Sequence, residues 1–178
     1  YLGRVSASSH GHTVAGFLLV DANVLIDFAE AEISVLSIAS VALAPVYVVR
    51  EVLREVPRLD AAACTRLGIH VLEPEVDELA AAAARRGSLS FEDHLCLLVA
   101  EARGWTCVTN DGALRRACAA QNGAVLWGLE LMAQLVEVGH FDAARAGDVA
   151  EAIHRSNPLH ITVAILARFR ERLGLPGS

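Results

Sequence analysis

The chain has 178 residues, a net charge of −6, 54% hydrophobic residues and 5% aromatic ones. That length suits one domain with a substantial core. No apolar run approaches the ~18 residues of a membrane span, so a soluble, cytoplasmic protein is expected, and the acidic balance argues against a broad, non-specific nucleic-acid surface while leaving room for a local basic rim. Tyr1 to Gly16, rich in Gly, Ser and His, reads as an appended leader or linker rather than a signal peptide, because no apolar stretch follows a basic start. Its His10 and His12 are set aside.

FLLVDANVLIDF, Phe17 to Phe28, is an apolar run of buried-strand type that stops on Asp21. A helix is predicted over Asn23–Ala31 with Asn23 as N-cap, and Ile33–Ser40 continues it or forms a second one. Pro45 to Val49 is β-branched and aromatic, hence a second strand. Arg50–Val56 is predicted helical, stopped by Pro57. Asp60–Leu67 is a helix closed by Gly68. Ile69–Leu72 is the third strand. Glu75–Arg86 is an alanine-rich helix with acids first and arginines last, ended by Gly87. Ser90–Arg103 is a helix apolar nearly all round, hence buried. WTCVTNDGALRRA, Trp105 to Ala117, repeats the opening grammar: a fourth strand to Thr109, then Asp111, then a helix to Gln121. Ala124–Trp127 is the fifth strand. After Gly128 the pattern is helical only, over Leu129–Val138, Asp142–Arg155 and Thr162–Leu173, the last two parted by the Asn157-Pro158 turn. Strands alternating with helices imply an α/β domain, a parallel sheet of about five strands with right-handed crossovers.

Acids at the ends of parallel strands lie at the carboxyl edge of the sheet, where open α/β folds place ligands. Asp21 and Asp111 occupy such positions, although Asp21 can be a plain turn residue before a helix and Asp111 a plain helix cap. Ser90-x-x-Asp93 matches a capping pair. The helix it opens leads into the fourth strand, so its N-terminus returns to the carboxyl edge and brings Asp93 beside Asp21 and Asp111. A fourth acid is expected from the helix after the second strand, where Glu51 and Glu55 share one face. Glu55, flanked by apolar neighbours, is the first choice and Glu51 the alternative. Two carboxylates ~4 Å apart repel by about 4 kcal/mol at an effective dielectric near 20. Four stay ionised together only around a cation. An oxygen-only donor set selects Mg²⁺ or Mn²⁺ over zinc.

Taken together, LLVDANVLIDF, VLREV, LSFEDHLCLLVAEARGW and CVTNDGALRRA resemble the acidic motifs of PIN-domain nucleases, in order and spacing, over about Phe17 to Val138. The similarity is greatest to VapC-type toxins of toxin–antitoxin pairs. The resemblance implies catalytic and metal-binding roles for Asp21, Glu55, Asp93 and Asp111. It also implies strand order 3-2-1-4-5 and an Mg²⁺- or Mn²⁺-dependent endoribonuclease acting on RNA. Such toxins are dimers silenced by a cognate antitoxin protein, so a homodimer and an antitoxin partner are expected. A leader over 1–16, a PIN-like domain over 17–138 and a helical extension over 139–178 packed on it complete the expected organisation. The extension departs from a compact PIN domain.

Around the acids, Asn23 is a candidate partner for Asp21 or a bound water, with N-capping as its plain role. Thr109 and Asn110 can hydrogen-bond the acidic centre. Arg115 and Arg116 can reach phosphates, with a solvated helix face expected of at least one. Arg85 and Arg86 suit the helix dipole. His94 is a candidate general acid, although a partly exposed histidine is the plainer expectation. Asp27 is expected at the surface and Trp127 in the core. All fifteen basic residues are arginine. GC-rich codon usage is the commonplace cause, and any phosphate grip is then by guanidinium. Cys64, Cys96, Cys107 and Cys118 form no C-x-x-C pair and are expected as core thiols.

Two further functions compete. An inactive PIN-like scaffold would bind RNA or protein without cutting, but has no reason to retain mutually repelling acids. An Asp-nucleophile phosphatase also starts with an acid after the first strand, but wants a second acid where Asn23 stands and a lysine that the chain lacks.

Overall fold

The structure is a computed structural model that describes residues 16–57 and 59–176. The expected leader therefore falls outside the described residues, apart from Gly16. Five short strands form one parallel sheet: β1 (Leu18–Val20), β2 (Val46–Val49), β3 (Ile69–Leu72), β4 (Thr106–Val108) and β5 (Val125–Leu126), in the order β3-β2-β1-β4-β5. The expected fold class and strand order are both observed. β1 is central because all three of its side chains are buried, as a strand covered on both faces must be. It pairs in parallel with β2 (Leu18 opposite Val46) and with β4 (Leu18 opposite Thr106). The chain order reverses at β1/β4, the switch point of this sheet.

Ten helices are described: α1 (Ala22–Ala31), α2 (Ser34–Ala42), α3 (Arg50–Leu53), α4 (Ala61–Arg66), α5 (Val76–Ala84), α6 (Phe91–Arg103), α7 (Gly112–Ala120), α8 (Gly128–Glu137), α9 (Ala143–Ser156) and α10 (Val163–Arg172). None is long and apolar enough to cross a membrane, among the described residues. Four starts follow from acids or hydroxyls legible in the chain: Asp60, Ser90, Asp142 and Thr162 each accept from a backbone amide three residues on. α6 is deeply enclosed, with Leu95, Cys96, Leu97, Val99 and Ala100 buried. The last three helices pack back on the sheet layer: α9 against α1 and α8, and α10 against α8 and α9. Their buried Ala146, Val149, Ala150 and Ile153 join the same apolar core as β1. All four cysteines are buried and free, as expected.

Two local expectations are corrected. α1 begins one residue earlier, and its cap is Asp21, not Asn23: Asp21 is extended (φ −82°, ψ 174°) and accepts from the Val24 amide. The helix after β2 ends at Leu53. From Glu55 onward the bonds tighten to three-residue spans, Glu55 to the Val52 carbonyl and Val56 to the Leu53 carbonyl, both 3.1 Å. Pro57 disfavours helical backbone at Val56, and its own missing amide bars a further turn.

Gly104 closes α6 with φ 63° and ψ 33°, a left-handed cap that joins α6 to β4. A Cβ there would meet nothing within 4 Å, so an added methyl is opposed by the backbone alone. Gly104→Ala is expected to lower stability by about 1 kcal/mol, read from urea denaturation. An unchanged midpoint would contradict this left-handed cap.

Candidate acidic site at the carboxyl edge of the sheet

β1 and β4 are adjacent and parallel, so both end at one edge, and each passes into a helix through an acid. The Asp21 amide donates to the Val108 carbonyl at 3.1 Å, one step beyond the strand. Asp21 Oδ1 accepts from the Val24 amide at 2.8 Å. Its Oδ2 accepts a hydrogen bond from the Thr109 hydroxyl. That hydroxyl accepts in turn from the Asp111 amide at 3.0 Å, and Asp111 Oδ1 caps α7 by accepting from the Leu114 amide at 2.7 Å. A single fully buried threonine thus ties the ends of the two central strands together.

Asp93 arrives by the predicted route. Its Oδ2 accepts from the Ser90 amide at 3.1 Å and its own amide donates to Ser90 Oγ at 3.0 Å, a reciprocal capping box. Its Oδ1 has no protein hydrogen-bond partner among the described residues. Asp21 is 2% exposed. Burial lifts its carboxyl from 3.8 to about 7, against the lowering effect of the Thr109 and Val24 bonds, and the charges of Asp93 and Asp27 add to the rise. Glu55 is raised as well, first by the surrounding protein and then by Glu92 and Asp93. Asp21 and Glu55 therefore both feel Asp93.

Glu55 is not held as the sequence suggests. It lies in the turn after α3 and is exposed, because the helix that would have carried it stops early. Glu51, the alternative, is the better enclosed of the two: its side chain is 15% exposed, it lies 3.8 Å from Arg54, and its Oε2 is buried with no hydrogen-bond partner among the described residues. The shared helical face assumed for the pair does not exist.

Among the described residues, no group of three or more His, Cys, Asp and Glu side chains is gathered closely enough to hold a metal ion. The donor types present, carboxylate oxygens, are those that a hard divalent cation takes. Among the described residues Asp21 is buried with anionic neighbours and no cationic partner, and Asp93 keeps one oxygen free. As they stand, the side chains of Asp21, Asp93 and Asp111 serve helix caps instead of a common point.

The flanking residues divide. Thr109 bonds the acidic centre, whereas Asn110 turns away from it. Asn110 Nδ2 donates to Asp27 Oδ2 at 2.8 Å and its Oδ1 accepts from the Gly128 amide at 2.9 Å. Asp27 is buried, contrary to the surface position expected from its helical offset. Its carboxylate also accepts from Asn157 Nδ2 at 3.0 Å, and His160 Nδ1 lies 3.2 Å from the Asn110 carbonyl. Burial raises the Asp27 carboxyl, opposed by the bonds from Asn157 and Asn110. This second polar cluster went unread because Asn157 and His160 lie 130 or more residues from Asp27 in the chain. Only the Asn157-Pro158 turn marked the place.

Asn23 is half-buried and makes no side-chain hydrogen bond among the described residues. Arg116 is exposed and folds its guanidinium back over Gly112, beside the Asp111 cap. Arg115 turns to the other side and stacks on Trp127, with its guanidinium carbon 3.9 Å from the ring centroid. Trp127 is therefore half-buried under an arginine instead of being core. Arg86 donates to the Ala83 carbonyl at the end of α5, as the dipole reading requires. His94 is buried, against the expected partial exposure, and neither ring nitrogen has a partner among the described residues. It points into the protein interior because α6 is enclosed nearly all round. Comparison with known proteins finds no matching family model, no matching curated relative and no matching solved structure.

Proposed function

We propose that the protein is an Mg²⁺- or Mn²⁺-dependent endoribonuclease of PIN type. The observation that carries the reading is that Asp93 lies within electrostatic reach of Asp21 and of Glu55 at the switch-point edge, with Asp111 joined to Asp21 through Thr109. Asp21, Asp93 and Asp111 would hold the cation, with Glu55 or Glu51 completing the set. A divalent ion bound there supplies positive charge that offsets the crowded carboxylates, acidifies water and neutralises charge growing on a scissile phosphodiester.

The chain's own contribution is positional. Val24 and Thr109 fix both oxygens of Asp21, so the carboxylate loses little entropy when it engages a ligand. Ser90 holds Asp93 by one oxygen and leaves the other without a hydrogen bond among the described residues. Arg116, lying over the α7 start, is placed to meet a phosphate flanking the cut. No cysteine is available as a covalent nucleophile, all four being buried, and the Ser90 hydroxyl is engaged in its capping box. Attack by water, giving a 5′-phosphate and a 3′-hydroxyl, is the outcome consistent with this site.

The test is cleavage of end-labelled single-stranded RNAs with Mn²⁺ or Mg²⁺, with and without EDTA. Cutting should stop in EDTA, and Asp93→Asn should slow it at least about 100-fold, as loss of a group that binds developing charge does. Undiminished cutting under either condition rejects the reading. Growth arrest on induction, relieved by a neighbouring gene product, would establish the further proposal of a dimeric toxin with a cognate antitoxin.

The use of all three aspartates as helix caps favours a second reading, a PIN-like scaffold that binds RNA or protein without cutting it. Mn²⁺ separates the two readings. Saturation to 100 times its dissociation constant stabilises a true site by about 2.7 kcal/mol. A scaffold shows no rise in melting temperature.

A further inference from the structure

Beside the acidic edge, on the β5 side, lies a cleft of about 430 Å³ between α7, α8 and α10. Arg115, Trp127, Glu130, Arg168, Phe169 and Arg172 line it. Trp127 follows the carboxyl end of β5, and Arg115 sits one turn into α7, its amide bonded to the Asp111 carbonyl at 3.0 Å. The loops carrying Asp111 and Trp127 are themselves linked by the Asn110–Gly128 bond, so the cleft adjoins the acids.

Its charge is opposite to theirs. Arg172 is neutralised by Glu137, which accepts two bonds at 2.7 and 3.1 Å, and it lies 3.8 Å from Glu130. Arg168 is exposed and makes no ion pair among the described residues. Arg115 makes no hydrogen bond through its side chain there, and its Nη1 is buried without a partner. A partly buried guanidinium without hydrogen bonds is costly, and an anion beside it in the cleft offsets its charge. Stacking on Trp127 covers one face of the guanidinium and Nη1 is buried, so it is Nε and Nη2, which make no hydrogen bond among the described residues, that remain to donate to a phosphate. Such a positive pocket in a chain of net charge −6 is a local feature with its own cause.

We propose that this cleft is a phosphate subsite for single-stranded RNA, in which Arg115 and Arg168 grip the backbone one or more nucleotides from the bond to be cut. The proposal rests on the nuclease reading for its substrate, and its test does not depend on cleavage. The full chain is titrated, in EDTA, into a fluorescein-labelled single-stranded RNA of mixed sequence, and anisotropy is followed at several salt concentrations. Arg168→Ala, at an exposed position, should weaken binding about tenfold, the loss expected for one charge-assisted contact. The slope of log affinity against log salt should shrink by about 0.7, the value for one phosphate of a single strand. Arg115→Ala should do at least as much, with circular dichroism confirming that the variant folds. A mononucleotide and inorganic phosphate, used as competitors, distinguish a strand site from a small-anion site. Displacement of RNA only by RNA supports the proposal, whereas a site saturated by free phosphate with no RNA binding overturns it. Unchanged RNA affinity in Arg168→Ala and in folded Arg115→Ala also overturns it. Metal-dependent cleavage with unaltered affinity in both variants would retain the nuclease and reject the subsite. Weakened binding in a chain that never cuts would do the reverse.

Discussion

Replacing Asp21 by Asn is expected to abolish RNA cleavage while making the protein more stable above neutral pH. The two effects have one cause. Asp21 is buried, and its carboxyl is lifted from 3.8 to about 7. In the unfolded chain it ionises near its ordinary value. Between those limits the folded state holds a proton that the unfolded state has released. Stability contributed by this group is therefore intact below about pH 4 and falls as pH rises toward 7. Above 7 both states are ionised and the full penalty applies, about 4 kcal/mol at ~1.4 kcal/mol per pKa unit. Asn is neutral at every pH and nearly isosteric. Its carbonyl can still accept from Val24, and the Thr109 hydroxyl can rotate to accept from its amide. The variant should therefore melt higher than the wild type at pH 8 and about equally at pH 4. Adding Mn²⁺ should raise the wild-type melting point most at alkaline pH, where the carboxylate is charged, and should leave the variant nearly unmoved. Melting curves that shift in parallel with pH for both proteins would remove Asp21 as a strained, ionisable centre.

Asp27→Ala is expected to have the largest cost to folding. The Asp27 carboxylate accepts from Asn110 at 2.8 Å and from Asn157 at 3.0 Å. Removing it leaves two amide donors without partners at a buried place. Each orphaned group costs about 1–3 kcal/mol, part of which is returned because a desolvated carboxylate is removed as well. A net loss of about 2–4 kcal/mol in urea denaturation at pH 7 follows from these opposing effects. Asp27→Asn, which keeps an accepting oxygen, should lose less. Because Asn110 precedes Asp111 and its carbonyl meets His160, the damage should reach the acidic edge as well as the C-terminal helices. A change below about 1 kcal/mol in Asp27→Ala would show that the two asparagines find other partners.

How well the sequence could be read varied with the range of the interaction. The Ser90–Asp93 capping pair and the Asp111 cap are legible and correct, and the helices read from Asp60, Asp142 and Thr162 begin one residue after them, since a cap is a bond within the next three residues. Asp21 shows the limit of that rule: Asn23 looked like the cap, yet the acid two places earlier supplies the bond because β1 leaves it extended. The expectation that Glu55 is held in place fails for a related reason. Composition favours a helix to Val56, but the tightening imposed by Pro57 ends it two residues before the acid. Counting turns from Asp21 puts Asp27 at the surface, but the face it occupies is covered by α9.

The alternation of apolar runs, acids and amphipathic segments was enough to determine a parallel α/β sheet with its acids at one edge, because strand and helix periods are local and handed crossovers leave few ways to join them. Tertiary structure alone decided which oxygen each polar group meets: Thr109 between Asp21 and Asp111, Asn157 on Asp27, Arg115 over Trp127. Those partners are distant in the chain, and their hydrogen bonds and stacking depend on sub-ångström placement that no repeat in the sequence encodes.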